Sequence, residues 1–303
     1  AGAAVVMNDT ASPGAAIFVD GRYTLQVREE VDPKLFEYRH LVTEPPERWI
    51  ETHLKKGQRI GFDPWLFTVD QARRLTEAAA KAGGTAVPVE KNPLDAVWTD
   101  QPEPPIAPVL PQDLRYAGRS AEEKRRAMGK TLGDEGQDAA VITAPDSLAW
   151  LLNVRGGDVP RTPFALGFAV LHKDGHVDVF MDPRKFTPAT LAHLGNEVTV
   201  QPRDGFAAAL DALGKEKKRV AIDANTEGVW IRDRLAKAGA TVKVGEDPCA
   251  LPKATKNPVE IEGTRAAHRR DGAAITRFLA WLAQEAPKGN LTEIQAAEKL
   301  AAF

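Results

Sequence analysis

Short apolar runs alternate with amphipathic helical patterns over the first hundred residues. The predicted strands are Ala3–Met7, Ala15–Val19, Arg59–Asp63 and Thr85–Val89. The segment between the first two, Asn8–Gly14, is rich in turn residues. After the third strand, Thr68 and Gln71 form a capping-box pattern that opens a helix, and Gly83 ends it. Strands and helices that alternate in this way predict an α/β domain.

The stretch Gln101–Pro111 is unusually rich in proline. Its prolines are Pro102, Pro104, Pro105, Pro108 and Pro111. Because proline fixes φ and lacks a backbone N–H, the composition predicts extended, polyproline-like backbone without sheet hydrogen bonds. We therefore interpret this stretch as a linker between domains.

A second set of α/β elements follows the linker. A charged helix is predicted over Ser120–Gly133 and an apolar strand over Ala140–Thr143. Pro163–Asp182 is predicted to form a β-hairpin, in which Asp174-Gly175 supplies two turn residues that tolerate positive φ. The apolar residues expected to share one face of this hairpin are Phe168, Val170, Val177, Val179 and Met181.

An internal repeat links the two segments. Arg59–Asp63 matches Arg219–Asp223 in pattern, and each run leads into a helix that ends with the sequence Ala-Lys-Ala-Gly. A short strand and a proline-containing stretch follow in both cases. The matched spacing favours a duplicated domain over coincidence.

The last segment is predicted to be helical. Asn257 is a good N-cap, Pro258 suits the first helical position and Glu260 completes a capping box. The residues that recur at helical spacing before Pro287 are Ile261, His268, Ile275, Phe278, Leu279 and Leu282. Thr292 and Gln295 open a second helix. Two helices cannot bury their apolar faces alone, so we expect a partner fold beyond Phe303.

Composition narrows the function classes. Hydrophobic residues make up 43% of the 303 residues, charged residues 27%, and the formal net charge is −2. These values are typical of a globular protein and do not indicate a nucleic-acid or membrane partner. One cysteine excludes an internal disulfide, which fits a reducing compartment. No apolar run reaches the roughly 20 residues of a membrane span. Both ends look cut, since the chain opens in a strand-like run and stops in a helical pattern.

Motifs for common chemistries were tested and set aside. Gly129-Lys130-Thr131 resembles the end of a phosphate-binding loop, but it lies in a charged helical pattern and lacks the first glycine. The histidines form no HExxH motif, and His172 and His176 are separated by the predicted hairpin turn. GxSxG and GxGxxG are also missing. Residue chemistry alone therefore indicates no active site.

Three stretches together resemble a known family. They are Val19–Tyr23 (VDGRY), Asp146–Val159 (DSLAWLLNVRGGDV) and Lys253–His268, and the resemblance also includes Val97–Asp100 before the linker. All are similar to the three-domain form of aminopeptidase P, a metallopeptidase related to creatinase and prolidase. The middle stretch is the most specific.

The resemblance implies a fold and a domain order. It implies two tandem creatinase-N-type α/β domains with mixed sheets, over residues 1–100 and 112–252, joined by the linker at 101–111. Residues 253–303 would be the first helices of a pita-bread catalytic domain. On this interpretation the chain is incomplete at both ends.

The resemblance also implies an activity. The family removes the N-terminal residue from peptides with proline in second position, using two divalent metal ions, usually manganese. Its ligands are two Asp, one His and two Glu, together with nearby catalytic histidines, and no position of this chain matches them. His268 matches a helix histidine of the family that is not catalytic. We therefore expect no metal ligand and no catalytic residue here, and no peptidase activity from the chain alone.

One family residue can be placed on this sequence. Arg22 matches an arginine of the first domain that reaches the catalytic cleft and helps to position substrate. The alternative is a surface salt bridge beside a turn. For Arg155 and Asp158 we expect an ion pair that shapes the loop rather than a catalytic role.

The resulting hypothesis is the front part of a cytoplasmic, homodimeric X-prolyl aminopeptidase. Two alternatives remain. Some pita-bread relatives have lost their metals and bind peptides or proteins, so a binding module is possible. Creatinase and prolidase are a second alternative, but they usually carry one N-terminal domain, and the internal repeat argues against them.

Overall fold

The structure is a computed structural model that describes residues 2–8 and 14–303. Most of the turn predicted over Asn8–Gly14 lies outside the described residues. The chain folds as two compact units. The first contains residues 1–104 and 209–246, and the second contains residues 105–208 and 247–303.

The strands are short. They are β1 (Gly2–Val6), β2 (Ala15–Val19), β3 (Phe36–His40), β4 (Arg59–Phe62), β5 (Thr85–Pro88), β6 (Leu110–Pro111), β7 (Ala139–Ile142), β8 (Val154–Arg155), β9 (Phe168–His172), β10 (Val177–Phe180), β11 (Val198–Gln201), β12 (Arg219–Asp223) and β13 (Thr241–Gly245). Every strand predicted from the apolar pattern is present, with bounds that differ by one residue at most.

The helices vary more in length. They are α1 (Gln26–Glu30), α2 (Pro46–His53), α3 (Val69–Lys81), α4 (Pro93–Val97), α5 (Leu114–Ala117), α6 (Ala121–Asp134), α7 (Pro145–Leu152), α8 (Pro188–Leu194), α9 (Gly205–Lys215), α10 (Val229–Ala238), α11 (Ala250–Ala254), α12 (Pro258–Glu285) and α13 (Glu293–Ala302). Short 3-10 helices occur at Gly21–Tyr23, Pro183–Lys185 and Ala286–Lys288.

The first unit contains a mixed sheet and two parallel strand pairs. β2 pairs antiparallel with β1 and parallel with β3. β4 pairs in parallel with β5, and β12 with β13. The core of this unit includes Ala16, Phe18, Trp49, Ile50, Leu75, Ala78, Ala79 and Val229. Burial of these apolar side chains is the main force that holds the strands against α2 and α3.

The repeat predicted from the sequence appears as two similar strand–helix–strand segments. In each, a parallel strand pair is connected through one helix, as β4–α3–β5 and as β12–α10–β13. Gly83 and Gly239 follow the two helices with φ of +75° and +107°. These left-handed conformations favour glycine, which explains why both segments end with the same residue.

The second unit contains a mixed sheet in the order β11-β10-β9-β7. β10 is parallel to β11 and antiparallel to β9, which is in turn antiparallel to β7. Most residues of β7, β9 and β10 are buried, including successive residues that point to opposite faces. Both faces of this sheet are therefore covered.

The predicted hairpin forms, but the predicted face is wrong. His172 N donates to the carbonyl oxygen of His176 at 2.9 Å, so the loop between them has three residues, not two. Val170 therefore lies opposite Asp178, and Phe168 lies opposite Phe180. A one-residue change in register moves a side chain to the other face of a sheet. The apolar pattern could not reveal this, because both faces are buried.

The linker prediction is wrong at one point. Residues 101–108 have no regular structure, as expected, but β6 (Leu110–Pro111) pairs antiparallel with β8. Such a ladder is possible because it is only two residues long, and proline is tolerated in edge strands.

The last two helices form as predicted. Asn257 and Glu260 make a complete capping box at the start of α12, and Thr292 and Gln295 make one at α13. Several apolar residues of α12 and α13 are exposed, among them Ile275, Leu279 and Ile294.

Candidate functional site

Arg22 lies on a short turn that follows β2. Asp20 is the N-cap of the 3-10 helix Gly21–Tyr23, and its carboxylate accepts a hydrogen bond from the backbone N of Arg22 at 3.0 Å. The preceding strand contributes Ala16 and Phe18 to the core of the first unit. Because the strand end is anchored in this way, the turn holds the arginine at a defined place on the surface.

The guanidinium of Arg22 is held on one edge and open on the other. Its Nε donates to Oδ1 of Asp20 at 3.1 Å, and its Nη2 donates to Oδ2 at 2.8 Å. The arginine side chain is nevertheless 75% exposed, against 16% for the aspartate. Nη1 has no hydrogen-bond partner in the part of the chain that the structure describes. A guanidinium oriented like this can offer directed donors to a carbonyl or carboxylate group.

The electrostatics of the pair favour the charged forms. Hydrogen bonds from the Arg22 side chain hold the pKa of the Asp20 carboxyl well below its usual range. The aspartate is therefore ionised at neutral pH, and its charge keeps the arginine oriented.

Arg184 repeats this geometry in the second unit. Asp182 follows β10, caps a 3-10 helix and accepts two hydrogen bonds from Nε of Arg184 at 3.0 Å each. Arg184 is 72% exposed. Its hydrogen bonds lower the pKa of Asp182 to about 2. An aspartate cap with an arginine two residues later therefore stabilises the turn after the strand in both units, whatever else Arg22 does.

Asp158 pairs with a different cation from the one expected. Its Oδ2 accepts from Lys185 Nζ at 2.5 Å, and its carboxylate also accepts from the backbone N of Ala107 and Leu166. The side chains of Asp158 and Lys185 are 0% and 5% exposed. Arg155 instead donates to its own neighbour, the carbonyl oxygen of Val154, at 2.8 Å. The expected Arg155–Asp158 pair is therefore wrong, while a structural role for Asp158 is supported.

The phosphate-loop-like tripeptide is part of a helix. Gly129-Lys130-Thr131 lies inside α6, and a Cβ at Gly129 would come within 2.8 Å of the backbone N of Gly175. The glycine is needed there because the helix packs closely on the hairpin turn. The sequence-based rejection of a nucleotide site is consistent with this position.

A metal site requires several His, Cys, Asp or Glu side chains grouped together, which can be judged for residues 2–8 and 14–303. Within those ranges no three His, Cys, Asp or Glu side chains are grouped so that they could hold a metal ion. His172 and His176 lie on the hairpin as predicted, with their Nε2 atoms 2.9 and 3.6 Å from the carboxylate of Asp178. The residues described here therefore do not fit a dinuclear metal centre.

One buried cation is not evident from the charge pattern along the chain. Lys124 lies on α6, which the sequence predicts as a charged helix, yet only 2% of the residue is exposed. Charge patterns do not distinguish a solvated lysine from one that a neighbouring tryptophan covers. Trp150 lies on a different helix, α7, so only the folded structure shows that its ring lies beside Lys124.

Two family models match the sequence. Both are described as the creatinase/prolidase N-terminal domain, one over residues 1–97 and the other over residues 100–260. The chain belongs to the creatinase/prolidase N-terminal domain family. The predicted tandem of two such domains with mixed α/β sheets is confirmed.

Curated relatives support the resemblance to aminopeptidase P. A probable Xaa-Pro aminopeptidase P of Aspergillus flavus is 34% identical over 297 residues, covering 94% of this chain and 45% of the relative. A protein of the same name from Coccidioides posadasii is 34% identical over 299 residues, covering 95% of this chain and 46% of the relative. The chain thus spans about half the length of the curated relatives it matches.

A solved structure shares the fold. X-prolyl aminopeptidase from Caenorhabditis elegans, described as a cytosolic enzyme with a di-nuclear active site, superposes with a TM-score of 0.84 at 30% identity. The match covers 94% of this chain and 48% of that one. No helix within the described ranges combines the length and apolar content needed to cross a bilayer.

Proposed function

We propose that this chain is the non-catalytic front part of an X-prolyl aminopeptidase, which removes the N-terminal residue of peptides before proline. The observation that carries the proposal is the structural similarity to the nematode enzyme over 94% of the chain. Aminopeptidase P relatives that align over the same extent support it.

The proposed domain order follows the sequence. Residues 1–100 form the first creatinase-N-type domain, 101–111 the linker, 112–252 the second such domain and 253–303 the start of the catalytic domain. The family models, which meet between residues 97 and 100, support the first of these boundaries.

The metal ions belong to the parent protein in this proposal. Two divalent cations, most suitably manganese, would be bound outside the described residues and would supply Lewis-acid activation of water there. The described residues offer no cluster for them. The contribution of this chain is therefore to bind and orient the peptide, and to shield the cleft.

Arg22 is the residue that we propose acts on the substrate. Its open guanidinium edge supplies donors for a peptide carbonyl or carboxylate. Because proline makes the scissile bond a tertiary amide without an N–H, a peptide with proline second cannot be recognised fully through strand-like hydrogen bonds. A directed side-chain donor compensates for that loss.

The proposed setting is a homodimer in the cytoplasm. The description of the nematode relative as cytosolic supports this location. A single cysteine in the sequence is compatible with a reducing compartment.

A paired assay tests the proposal. The 303-residue chain and the full-length parent protein are each incubated with the tripeptide Arg-Pro-Pro and Mn²⁺, with and without a chelator. We expect hydrolysis by the full-length protein only, and its loss on chelation. Chelator-sensitive turnover that co-purifies with the short chain would show that the chain is catalytic by itself. A full-length protein that binds but never cleaves such peptides would instead indicate the metal-free binding module.

A further inference from the structure

A cleft of about 840 Å³ lies in the second unit, beside the first turns of α12. One wall comes from α12 and the residues just before it, and the other from the α5 region and the end of α7. The walls are joined directly, because Asn257 Nδ2 donates to the carbonyl oxygen of Ala117 at 2.8 Å. Its volume lies within the range of small-molecule sites, which is roughly 300–1,000 Å³.

The lining of the cleft is rich in cations. Its basic members are Arg115, Lys124, Arg155 and Lys256, and its acidic members are Glu260 and Glu262. Glu262 is paired with Arg265 at 2.5 Å, so its charge is offset outside the lining. Oε2 of Glu260 accepts from the backbone N of Asn257 in the capping box. The cleft therefore carries an excess of positive charge.

Lys124 forms part of the cleft floor, and its hydrogen-bond partners are neutral groups. Its Nζ donates to Asn153 Oδ1 at 2.6 Å and to the carbonyl oxygen of Trp150 at 3.1 Å, and lies 4.6 Å from the Trp150 ring centroid. In the described part of the chain, no carboxylate comes within ion-pair distance of Lys124 or Arg155. Burial lowers the pKa of Lys124 to about 8, which reflects the cost of a desolvated charge, and the nearby negative charge of Glu260 offsets only part of that cost.

Arg155 reaches the same space from β8. Its Nη1 donates to the carbonyl oxygen of Val154 at 2.8 Å, whereas Nε and Nη2 have no hydrogen-bond partner in residues 2–8 and 14–303. Burial lowers the pKa of Arg155 as well. Glu260 acts on both cations through its charge but forms no ion pair with either, so an anion in the cleft would add a direct counter-charge.

Apolar and aromatic side chains form other parts of the lining. Tyr116 and Trp150 line the cleft, together with Val259 and Ala267. Aromatic side chains of this kind offer stacking surface for a planar group. The cleft thus combines a cationic floor with aromatic sides.

We propose that this cleft binds a small organic anion, a phosphate ester or a carboxylate with a planar apolar body. Its anionic group contacts Arg155 and Lys256, and Lys124 adds positive charge from beneath. Its body packs between Tyr116 and Trp150. Binding offsets the cost of the buried cations, so the occupied protein is more stable than the empty one.

Calorimetric titration of the 303-residue chain tests the site. The probes are phenyl phosphate, benzoate, inorganic phosphate and the neutral benzamide, at pH 7 and low salt. We expect at least one aromatic anion to bind with a Kd below about 1 mM and to raise the melting temperature. Tighter binding of phenyl phosphate assigns the site to phosphate esters, and tighter binding of benzoate assigns it to carboxylates. Equal binding of benzamide, or no binding of either aromatic anion, overturns the proposal.

Variants separate this site from a general charge effect. Arg155→Gln removes the directed donors and weakens binding on the order of tenfold, the usual value of a charge-assisted hydrogen bond. Lys256→Gln, at an exposed position, weakens it less and keeps the test valid if Arg155→Gln unfolds. Arg126→Gln is the matched control, since Arg126 is exposed on α6 and pairs with Glu122. Unchanged affinity in both Arg155→Gln and Lys256→Gln contradicts the site.

The pH profile gives an independent readout. Charged groups around Lys124 are Arg119, Arg155, Lys256 and Glu260. Raising the pH from 7 to 9 crosses the Lys124 pKa of about 8 and removes one positive charge, so the affinity for phenyl phosphate falls. In the Lys124→Met variant, the part of this fall in affinity that comes from deprotonation of Lys124 is lost. An identical pH profile in the two proteins would exclude Lys124 from the site.

Discussion

Thr68 and Gly228 face each other in an isolated antiparallel bridge within the first unit. Each is the N-cap of a helix, Thr68 of α3 and Gly228 of α10. They are corresponding positions of the internal repeat, since Asp63 and Asp223 end the two matching strands. Two equivalent residues that contact one another define a local two-fold relationship.

The surrounding backbone hydrogen bonds obey the same relationship. Val69 N donates to the carbonyl oxygen of Glu227 at 3.1 Å, and Val229 N donates to that of Phe67 at 2.9 Å. Likewise, Asp70 N donates to Ala224 O and Trp230 N donates to Pro64 O, both at 3.0 Å. Each bond has a counterpart in which the repeats exchange roles. The two repeats therefore associate as the subunits of a symmetric dimer do.

Side chains break this symmetry. Trp65 and Trp230 stack with ring centroids 3.8 Å apart, and Arg234 lies over the Trp230 ring at 5.0 Å. Asn225 and Asp70 occupy the corresponding positions of the other repeat. The aromatic pair thus adds stabilisation on one side only.

Gly228→Ala is expected to destabilise the contact between the repeats. A Cβ at this position would lie 2.9 Å from the backbone oxygen of Trp65, and backbone cannot move aside easily. We expect the free energy of unfolding to fall by about 1–3 kcal/mol, as for other overpacked sites. Urea unfolding measures it.

Gly245→Ala is the control for this substitution. A Cβ at Gly245 meets nothing within 4 Å, so its effect should stay within about 0.5 kcal/mol. Equal stability of the two variants would show that the repeats do not depend on this close approach.

Asp158→Asn is expected to cost much more than the loss of an exposed pair. The substitution leaves the Lys185 ammonium buried without its counter-ion, which typically costs about 3–5 kcal/mol. Asp134→Asn removes the partner of the exposed Lys130 and should cost about 0.5 kcal/mol. Thermal unfolding of the two variants compares them directly.

A double variant tests the reason for that cost. Asp158→Asn combined with Lys185→Met removes both charges and should recover part of the lost stability. If the double variant were less stable than the sum of the single effects predicts, charge pairing would not be the cause.

Arg22→Gln is expected to change catalysis in the full-length enzyme without changing its fold. If Arg22 positions the substrate, the variant should lose about tenfold or more in kcat/KM for an Xaa-Pro peptide. Arg184→Gln is the matched control, because Arg184 has the same turn, the same aspartate partner and nearly the same exposure.

The two arginine variants give clear alternatives. Both should lose a little stability through the turn, and only Arg22→Gln should lose activity. Equal activity of the two variants would show that Arg22 only stabilises its turn, as Arg184 does. Rescue by Arg22→Lys should be poor, since lysine cannot replace the bidentate contact with Asp20.

Cys249 is expected to be unreactive in the native protein. It is fully buried, and burial together with the nearby Asp247 raises the pKa of its thiol well above the ordinary value of 9.0. A thiol reagent should therefore label it only through unfolding, and the chain has no other cysteine to confuse the signal. Fast labelling at undiminished stability would contradict this environment.

The same shift predicts a pH effect on stability. Above the ordinary value of 9.0, the unfolded chain loses the thiol proton while the folded chain keeps it. The folded state then binds more protons, so the free energy of unfolding decreases as the pH rises through this range. Cys249→Ala should lack that part of the decrease.

Elements that depend on neighbours in sequence were predictable. The capping boxes at Thr68, Asn257 and Thr292 all form as the residue spacing indicates. Gly83 ends its helix as the pattern predicted, and it does so in a left-handed conformation. Caps and stops are set by hydrogen bonds and sterics within a few residues, which the sequence contains in full.

Elements that depend on partners distant in sequence were not predictable. The predicted hairpin register was wrong because the same sequence is compatible with a two-residue and with a three-residue loop. Arg155 was assigned to Asp158, but Lys185 lies closer in space because the turn after β10 returns to the loop. Nor did the charged pattern of α6 show that Lys124 is covered.

The sequence by itself determined several of the strands and helices with their caps, together with the duplication and the family, since local patterning and the matched motifs carry that information. The tertiary structure alone decided which charges are buried, which partners they have and how the two repeats meet. The reason is physical: a side chain's burial and its counter-ion are set by whichever distant segments the fold brings beside it, and no spacing along the chain encodes that choice.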